Sequence, residues 1–185
     1  KLVRPGAIFR WWYDLPWSFE RSGVRVINPN SVWVAVRDKL ACYHSLAQAQ
    51  TFSVPQSFAV ESIIEATALL QEHAGLFETG YVLKPRVGFG GHGVQVAAAG
   101  EPPQPFPGNY LLSERITPPL RDGAYWDVRV FVMAGRYLGG ILRTNQAAVT
   151  NVFQGGTASR LDVATVAALE APALEAVRLL DSVAA

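Results

Sequence analysis

Residues 81–94 read YVLKPRVGFGGHGV, with Gly88, Gly90 and Gly93 in the spacing G-x-G-x-x-G. That spacing serves dinucleotide-binding turns and the loop over ATP in protein kinases, and context separates the two. A dinucleotide turn opens a helix and is followed by an acidic residue about 20 positions on. Here Gly93 leads into Val94-Gln95-Val96, an alternating strand pattern, and Glu101 comes too soon, in a proline-rich stretch. A kinase loop carries its lysine on the strand after the glycines, whereas Lys84 precedes them and neither H-R-D nor D-F-G occurs. Strand, lysine, proline, glycine loop and strand still make physical sense together. Glycines let the backbone approach phosphate oxygens and offer N–H donors, and a lysine on the preceding strand brings a point charge to the same place. The loop alone does not separate this from a flexible hairpin that binds nothing, with Lys84 at a sheet edge.

The composition limits what such a loop can belong to. The chain has 185 residues, half of them hydrophobic and 17% charged, which describes a globular protein of one domain or two small ones. A net charge of +1 argues against a general nucleic-acid-binding surface. The apolar runs are short and broken, so no membrane span is expected. The single Cys42 permits no internal disulfide, in keeping with a cytoplasmic protein. The chain starts at Lys1-Leu2, without Met or a signal-peptide pattern, which suggests a piece of a longer protein. Of 16 basic residues only Lys1, Lys39 and Lys84 are lysines. Where any cation would serve, this chain uses arginine.

Along the chain, GVRVINPN (residues 23–30) reads as a short strand ending in a turn. Residues 30–50 have roughly helical spacing and predict one broken or two consecutive helices, with Asn30 or Ser31 as N-cap. ESIIEATALLQEHAG (61–75) predicts a helix with Ile63, Thr67 and Leu70 on one stripe, Ile64 and Ala68 beside it, and Gly75 as a stop. YVLKPRV and GVQVAAA read as strands, EPPQPFPG (101–108) as a surface loop, and NYLLSERI as a strand. WDVRVFVMAGRYLGGILRT predicts a hairpin turning at Ala134-Gly135. TNVFQGGTASRL is loop-like, and 163–183 are helix formers interrupted by Pro172. Trp11, Trp12, Tyr13 and Trp17 read as core or interlobe packing. The sum is an α+β fold dominated by antiparallel strands in its second half.

The order of these features resembles the ATP-grasp ligases. INPNSVWVAVRDKLACYHSLAQAQTFSVPQSF is similar to their entry segment, YVLKPRVGFGGHGV to their second lysine and glycine loop, and YLLSERI to the hinge strand that meets adenine. GAYWDVRVFVMAGRYLGGILRTN looks like the D-x-R strand, hairpin and second arginine, and NVFQGG like the Asn-x-x-x-Gly-Gly loop. The subfamily most resembled is the glutathione synthetase and α-L-glutamate ligase type. The resemblance implies two α+β lobes clasping ATP between antiparallel sheets, with residues 1–28 the end of a preceding domain, 29–112 the N-terminal lobe with its glycine lid, and 113–185 an incomplete C-terminal lobe.

It also implies residue roles. Lys39 and Lys84 would contact the nucleotide phosphates, under a loop formed by Gly88, Gly90, Gly91 and Gly93. Glu114, Arg115 and Ile116 would lie at adenine and Asp127 on the ribose side, with an ion pair to Arg129 as the structural alternative for Asp127. Arg129 and Arg143 would face the transferred phosphate and the acyl-phosphate, and Asn151, Gly155 and Gly156 the substrate. The implied reaction uses ATP and Mg²⁺ to phosphorylate a carboxylate, after which an amine displaces phosphate to form an amide. Partners would be a small-molecule carboxylate and amine, or a peptide, with no nucleic acid and no membrane. A small-molecule kinase or a non-catalytic nucleotide-binding module on the same fold are the competing readings.

Two departures from the family pattern stand out. The family's metal ligands, an Asp and a later Glu-x-Asn, follow the Gly-Gly loop and a helix, and no Glu-x-Asn follows Gly156. The metal site is therefore expected outside residues 1–185. Val149 occupies a position where the amino-acid-ligase subfamily often has arginine, which puts a standard amino-acid substrate in doubt.

Overall fold

The computed structural model describes residues 15–88 and 90–184. Trp11, Trp12, Tyr13 and Phe89 lie outside the described residues. Residues 15–21 are helical, and Trp17, expected to be packed inside, is 48% exposed. It carries the Arg21 guanidinium 4.5 Å from its ring centroid. Residues 24–26 form no strand. Among the described residues the valine-rich run has no neighbouring strand, and Ile27 is 86% exposed; alternation without a partner does not make a sheet.

Helices α1 (Asn30–Arg37) and α2 (Lys39–Leu46) are consecutive and break at Asp38. The N-cap position of α1 is Pro29, without a side-chain cap bond, so neither Asn30 nor Ser31 takes that role. Asp38 makes the break useful. It is extended, forms a β-bridge to Val87, and its Oδ1 accepts from Leu40 N at 3.0 Å and Ala41 N at 3.4 Å. One residue thus ends α1, caps α2 and ties both to the root of the glycine loop.

The first sheet contains β1 (Ser57–Val60), β2 (Tyr81–Pro85), β3 (Gln95–Ala97) and β4 (Tyr110–Glu114), all antiparallel in the order β1-β4-β2-β3. Strand alternation divides its residues cleanly. Tyr81, Leu83, Ala97, Tyr110, Leu112 and Val60 pack with Ala66 of α3 (Ile63–Glu72) and with Phe77 to form the core. Each fully buried Leu or Val there contributes about 1.5–3 kcal/mol of transfer free energy. Val82 and Lys84 point to the opposite face. α3 is capped by Ser62. Its inward face is Ala66, Leu69 and Leu70, while Ile64 is 83% exposed. The expected stripe through Ile63 and Thr67 is therefore rotated, and the helix stops at Glu72, before Gly75.

The chain leaves this sheet after Glu114, so the expected lobe boundary at 112 and 113 falls inside β4. The second sheet joins β5 (Tyr125–Met133), β6 (Arg136–Asn145) and β7 (Thr157–Arg160) in that order, again antiparallel. Ala134 and Gly135 have φ of 49° and 70°, the left-handed pair of a two-residue hairpin turn. β7 replaces part of the expected loop. Its residues Thr157-Ala158-Ser159-Arg160 are all exposed, so no apolar alternation announced it. The back of this sheet is covered by α4 (Val163–Ala184), which also packs on α1 and α2. Pro172 lies inside α4 without ending it. The proline deletes one helical hydrogen bond, and the packing of both halves, including buried Ala173 beside it, keeps the helix in line. Glu175 of α4 accepts from Gln50 N and Thr51 N, both at 3.0 Å, tying the helix to the turn after α2.

Candidate nucleotide-binding site

A cleft of about 300 Å³ opens between the two sheets, lined by Val82 and Val96 on one side and by Tyr125, Trp126 and Asp127 on the other. The linker residues Arg115–Pro118 close one end, with Ala148 and Thr150 beneath. Two apolar side chains facing a hinge backbone form a slot for a flat ring. Trp126 Nε1 donates to Pro119 O at 2.8 Å, which locks the hinge to β5.

Both internal lysines stand beside this slot. Lys84 follows Val82 on β2 by two residues and so shares its face; its Nζ donates to Tyr43 OH at 2.8 Å. Lys39, at the first turn of α2, donates from Nζ to Pro85 O at 2.9 Å and Gly88 O at 3.0 Å. Burial, and next the positive charge of Lys84, push the Lys39 ammonium below its ordinary pKa. Carbonyl dipoles and a phenol only partly replace the water these cations have lost, which leaves a pair of ammonium groups suited to an anion.

The glycine loop reaches across the cleft. Gln154 Nε2 donates to Gly90 O at 3.3 Å, and a Cβ on Gly91 would stand 3.1 Å from Val149 Cγ1 and 3.3 Å from Gln154 Cγ. At Gly93, φ is +69° and a Cβ would come within 2.7 Å of Tyr110 Oη. Gly88 supplies the carbonyl that Lys39 grips, and a Cβ there would lie 3.9 Å from Lys39 Nζ. The loop therefore lies close over Pro85, Tyr110 and the opposite lobe, where side chains on Gly91 or Gly93 would collide.

The remaining expected residues divide into those at the cleft and those holding the frame. Arg115, Ile116 and Asp127 line the cleft. Glu114 does not; its carboxylate accepts from Gln56 N at 2.8 Å and secures the entry to β1. Asp127 pairs with Arg143, its cross-strand neighbour, rather than with Arg129: Nε to Oδ1 is 2.6 Å and Nη2 to Oδ2 is 2.5 Å. Buried Thr150 donates its hydroxyl to the same carboxylate. Arg129 lies one alternation further along β5 and is exposed; its guanidinium makes no ion pair among the described residues. Asn151, Gly155 and Gly156 build the facing loop. Asn151 Oδ1 accepts from Phe153 N at 2.9 Å, Gly155 has φ +89°, and a Cβ on Gly156 would sit 2.2 Å from Thr150 O.

Several contributors were not expected from the sequence. Tyr43 lies four residues after Lys39, one helical turn on the same face, and that spacing was the available signal. Thr150 directly precedes the singled-out Asn151, and Gln154 sits inside the loop motif. Val82 shares the face of Lys84 by simple alternation. Asp38 binds Arg86 through Nε and Nη2 at 2.6–3.0 Å, and this pair fixes the root of the glycine loop to α2. Among the described residues, no three His, Cys, Asp or Glu side chains come together, and no helix is long and apolar enough to cross a membrane.

Two antiparallel sheets clasping a lysine-lined cleft under a glycine loop define an ATP-grasp architecture. Residues 18–106 match the family described as Sugar-transfer associated ATP-grasp. The match supports membership of the ATP-grasp superfamily; the glutathione synthetase and α-L-glutamate ligase branch is not part of it. No curated protein sequence matches this chain.

Proposed function

We propose that this chain forms the nucleotide-binding portion of an ATP-dependent carboxylate–amine ligase that activates its carboxylate as an acyl-phosphate. The observation that carries the reading is the convergence of Lys39, Lys84 and the glycine loop beside an apolar slot closed by the hinge backbone. The residues fit ATP. Val82, Val96 and Ile116 enclose a ring, the Arg115–Ile116 backbone offers edge contacts, Asp127 lies within reach of a ribose, and the lysines face phosphates. ATP supplies the phosphoryl group.

This chain's own residues position and neutralise. Lys84 and Lys39 hold phosphate oxygens, the glycine loop excludes water, and Arg143 stabilises charge that builds on the transferred group and the attacked carboxylate, with Arg129 further along the strand on the substrate side. Asp127 and Thr150 fix the Arg143 guanidinium so that it is preorganised. For Mg²⁺ the fit is different. Asp127 is taken up by Arg143 and Thr150, and the described residues offer no carboxylate cluster, so no residue here is assigned to the ion and no step is derived from it.

The description of the matched family as sugar-transfer associated directs the search for the carboxylate toward carbohydrate-borne acids, with an amine, or a peptide's amine, as acceptor. ATP as co-substrate suits a cytoplasmic setting. The test is ADP release by the full-length protein with uronic acids and simple carboxylates, using hydroxylamine to trap acyl-phosphate. Carboxylate-dependent ADP release with hydroxamate formation is the expected result. ADP release with a phosphorylated alcohol and no hydroxamate would refute ligation and favour the kinase alternative.

A further inference from the structure

The register of the second sheet places a third arginine beside the two that the motifs singled out. Arg143 opposes Asp127 on β5 and Ala158 on β7; Ile141 opposes Arg129 on β5 and Arg160 on β7. Residues directly opposite share a face, as do residues two apart. Arg129, Arg143 and Arg160 therefore lie on the same face as Asp127, which lines the cleft. The β5–β6 register shifts only between Phe131 and Val132, beyond these positions.

Their partners differ. Arg143 is held by Asp127, while Arg129 and Arg160 make no hydrogen bond or ion pair among the described residues. Asp127 is the one carboxylate on the paired positions of this face before the register shift, against three guanidiniums. The Arg129–Ile141–Arg160 row lies about 7 Å further along the strands than the Asp127–Arg143–Ala158 row, and its two arginines are two strands apart, roughly 10 Å between backbones. Ala158, small, leaves space over β7 next to Arg143. Unpaired like charges gathered on one sheet face repel each other, and an anion between them relieves that repulsion. Guanidinium forks suit a carboxylate or a phosphate bidentately.

We infer that the Arg129–Arg160 row binds a second anionic group on the substrate, so that the molecule activated in this cleft is a dianion or higher rather than a simple monocarboxylate. The inference rests on the nucleotide-cleft reading above. Arg160 is its specificity determinant. It lies on the edge strand and does not line the hinge slot, and so is separable from adenine binding.

The test measures calorimetric binding of succinate, propionate and inorganic phosphate to the full-length protein saturated with a non-hydrolysable ATP analogue. Succinate is expected to bind at least tenfold tighter than propionate. Arg160→Gln should abolish that preference while leaving analogue affinity and melting temperature unchanged, and Arg160→Lys should retain part of it. Phosphate competing with succinate, and losing affinity in Arg160→Gln, would assign the row to phosphorylated acids as well; phosphate without effect would restrict it to dicarboxylates. Equal binding of succinate and propionate, or a preference that survives Arg160→Gln, overturns the inference while analogue binding still supports the nucleotide cleft. Failure of the analogue itself to bind overturns the cleft reading and this inference with it.

Discussion

The two lysines are not equivalent, and the difference is measurable. An ammonium group has three N–H donors. Lys39 commits two of them to Pro85 O and Gly88 O, leaving one for phosphate. Lys84 commits one to Tyr43 OH, leaving two. A hydrogen bond to a charged group contributes about 1.5–3 kcal/mol, and about 1.4 kcal/mol is tenfold in affinity. Lys39→Met should therefore weaken binding of a non-hydrolysable ATP analogue about tenfold. Lys84→Met should weaken it about a hundredfold or more. Stability should run in parallel for one and not the other. Lys84→Met strands the Tyr43 hydroxyl and costs about 1 kcal/mol. Lys39→Met removes a cation whose charged form is disfavoured by burial and by Lys84, which offsets the two lost carbonyl bonds. Calorimetric titration of each variant, with urea unfolding of the nucleotide-free proteins, reads both quantities. An equal or larger affinity loss in Lys39→Met would refute the donor count. Unchanged affinity in both variants would remove the lysines from the site altogether.

Further outcomes follow from the same geometry. Because the Lys39 pKa is lowered in the empty cleft, the nucleotide should drive proton uptake at alkaline pH, between the lowered value and the ordinary one. Titrations in buffers of different ionisation enthalpy detect this uptake, and Lys39→Met should abolish it. Gly93→Ala forces a side chain at φ +69° and 2.7 Å from Tyr110 Oη. A cost of about 1–2 kcal/mol from the backbone alone should appear in thermal melts, together with weaker nucleotide binding. Asp38→Asn keeps a side-chain oxygen for the helix cap, since Asn caps about as well as Asp, and loses a half-buried ion pair worth up to about 1 kcal/mol. The hydrogen bond from Arg86, the largest cause, holds Asp38 below the usual carboxylate range. Its stabilisation should therefore be complete above that range and fade as pH falls through the lowered value, so urea midpoints of wild type and Asp38→Asn should converge in acid.

How legible this protein was in its sequence depended on whether a feature was local. The glycine loop, β2 and the hairpin at Ala134-Gly135 are written in short stretches, and each formed where expected. Lys39 and Lys84 stood out because an arginine-rich chain kept lysine at only those internal positions. What was not legible depended on partners distant in sequence. Residues 24–26 had a strand pattern and, among the described residues, no strand to pair with. β7 had no pattern and formed because β6 offers it an edge. The inward face of α3 is set by the sheet it covers, which selects Ala66 and Leu69 over the more hydrophobic Ile64. The partner of Asp127 turned out to be Arg143 because hairpin register, not sequence proximity, decides which side chains face each other. Thr150 was invisible as a partner of Asp127 for the same reason, whereas Tyr43 could have been read from its one-turn spacing to Lys39.

The cations of the cleft form a graded series in the strength of the partners they hold. Lys39 rests on backbone carbonyls and Lys84 on a phenol; both partners are neutral, and both lysines gain when exchanging them for phosphate oxygens. Arg143 already has a carboxylate and a fixed orientation, so exchange there gains least; its value is preorganisation, since it need not be ordered when charge develops. Among the described residues, the Arg129 and Arg160 side chains hold no partner to give up. A polyanion entering this cleft therefore gains most at the lysines and at the outer arginine row, with Arg143 as the fixed point between them. On the proposed reading, nucleotide phosphates would lie on one side of Arg143 and a substrate anion on the other, with their reacting ends at Arg143. The same logic explains why the Asp127–Arg143 pair is reinforced by Thr150. If Arg143 were loosely held it would swing toward the phosphates or the substrate, and a fixed position would be lost. Thr150→Val, which keeps the volume and deletes the hydroxyl, should then leave analogue affinity nearly unchanged and lower the rate of ADP release. A proportional fall in both would mean that Arg143 serves binding rather than the reaction.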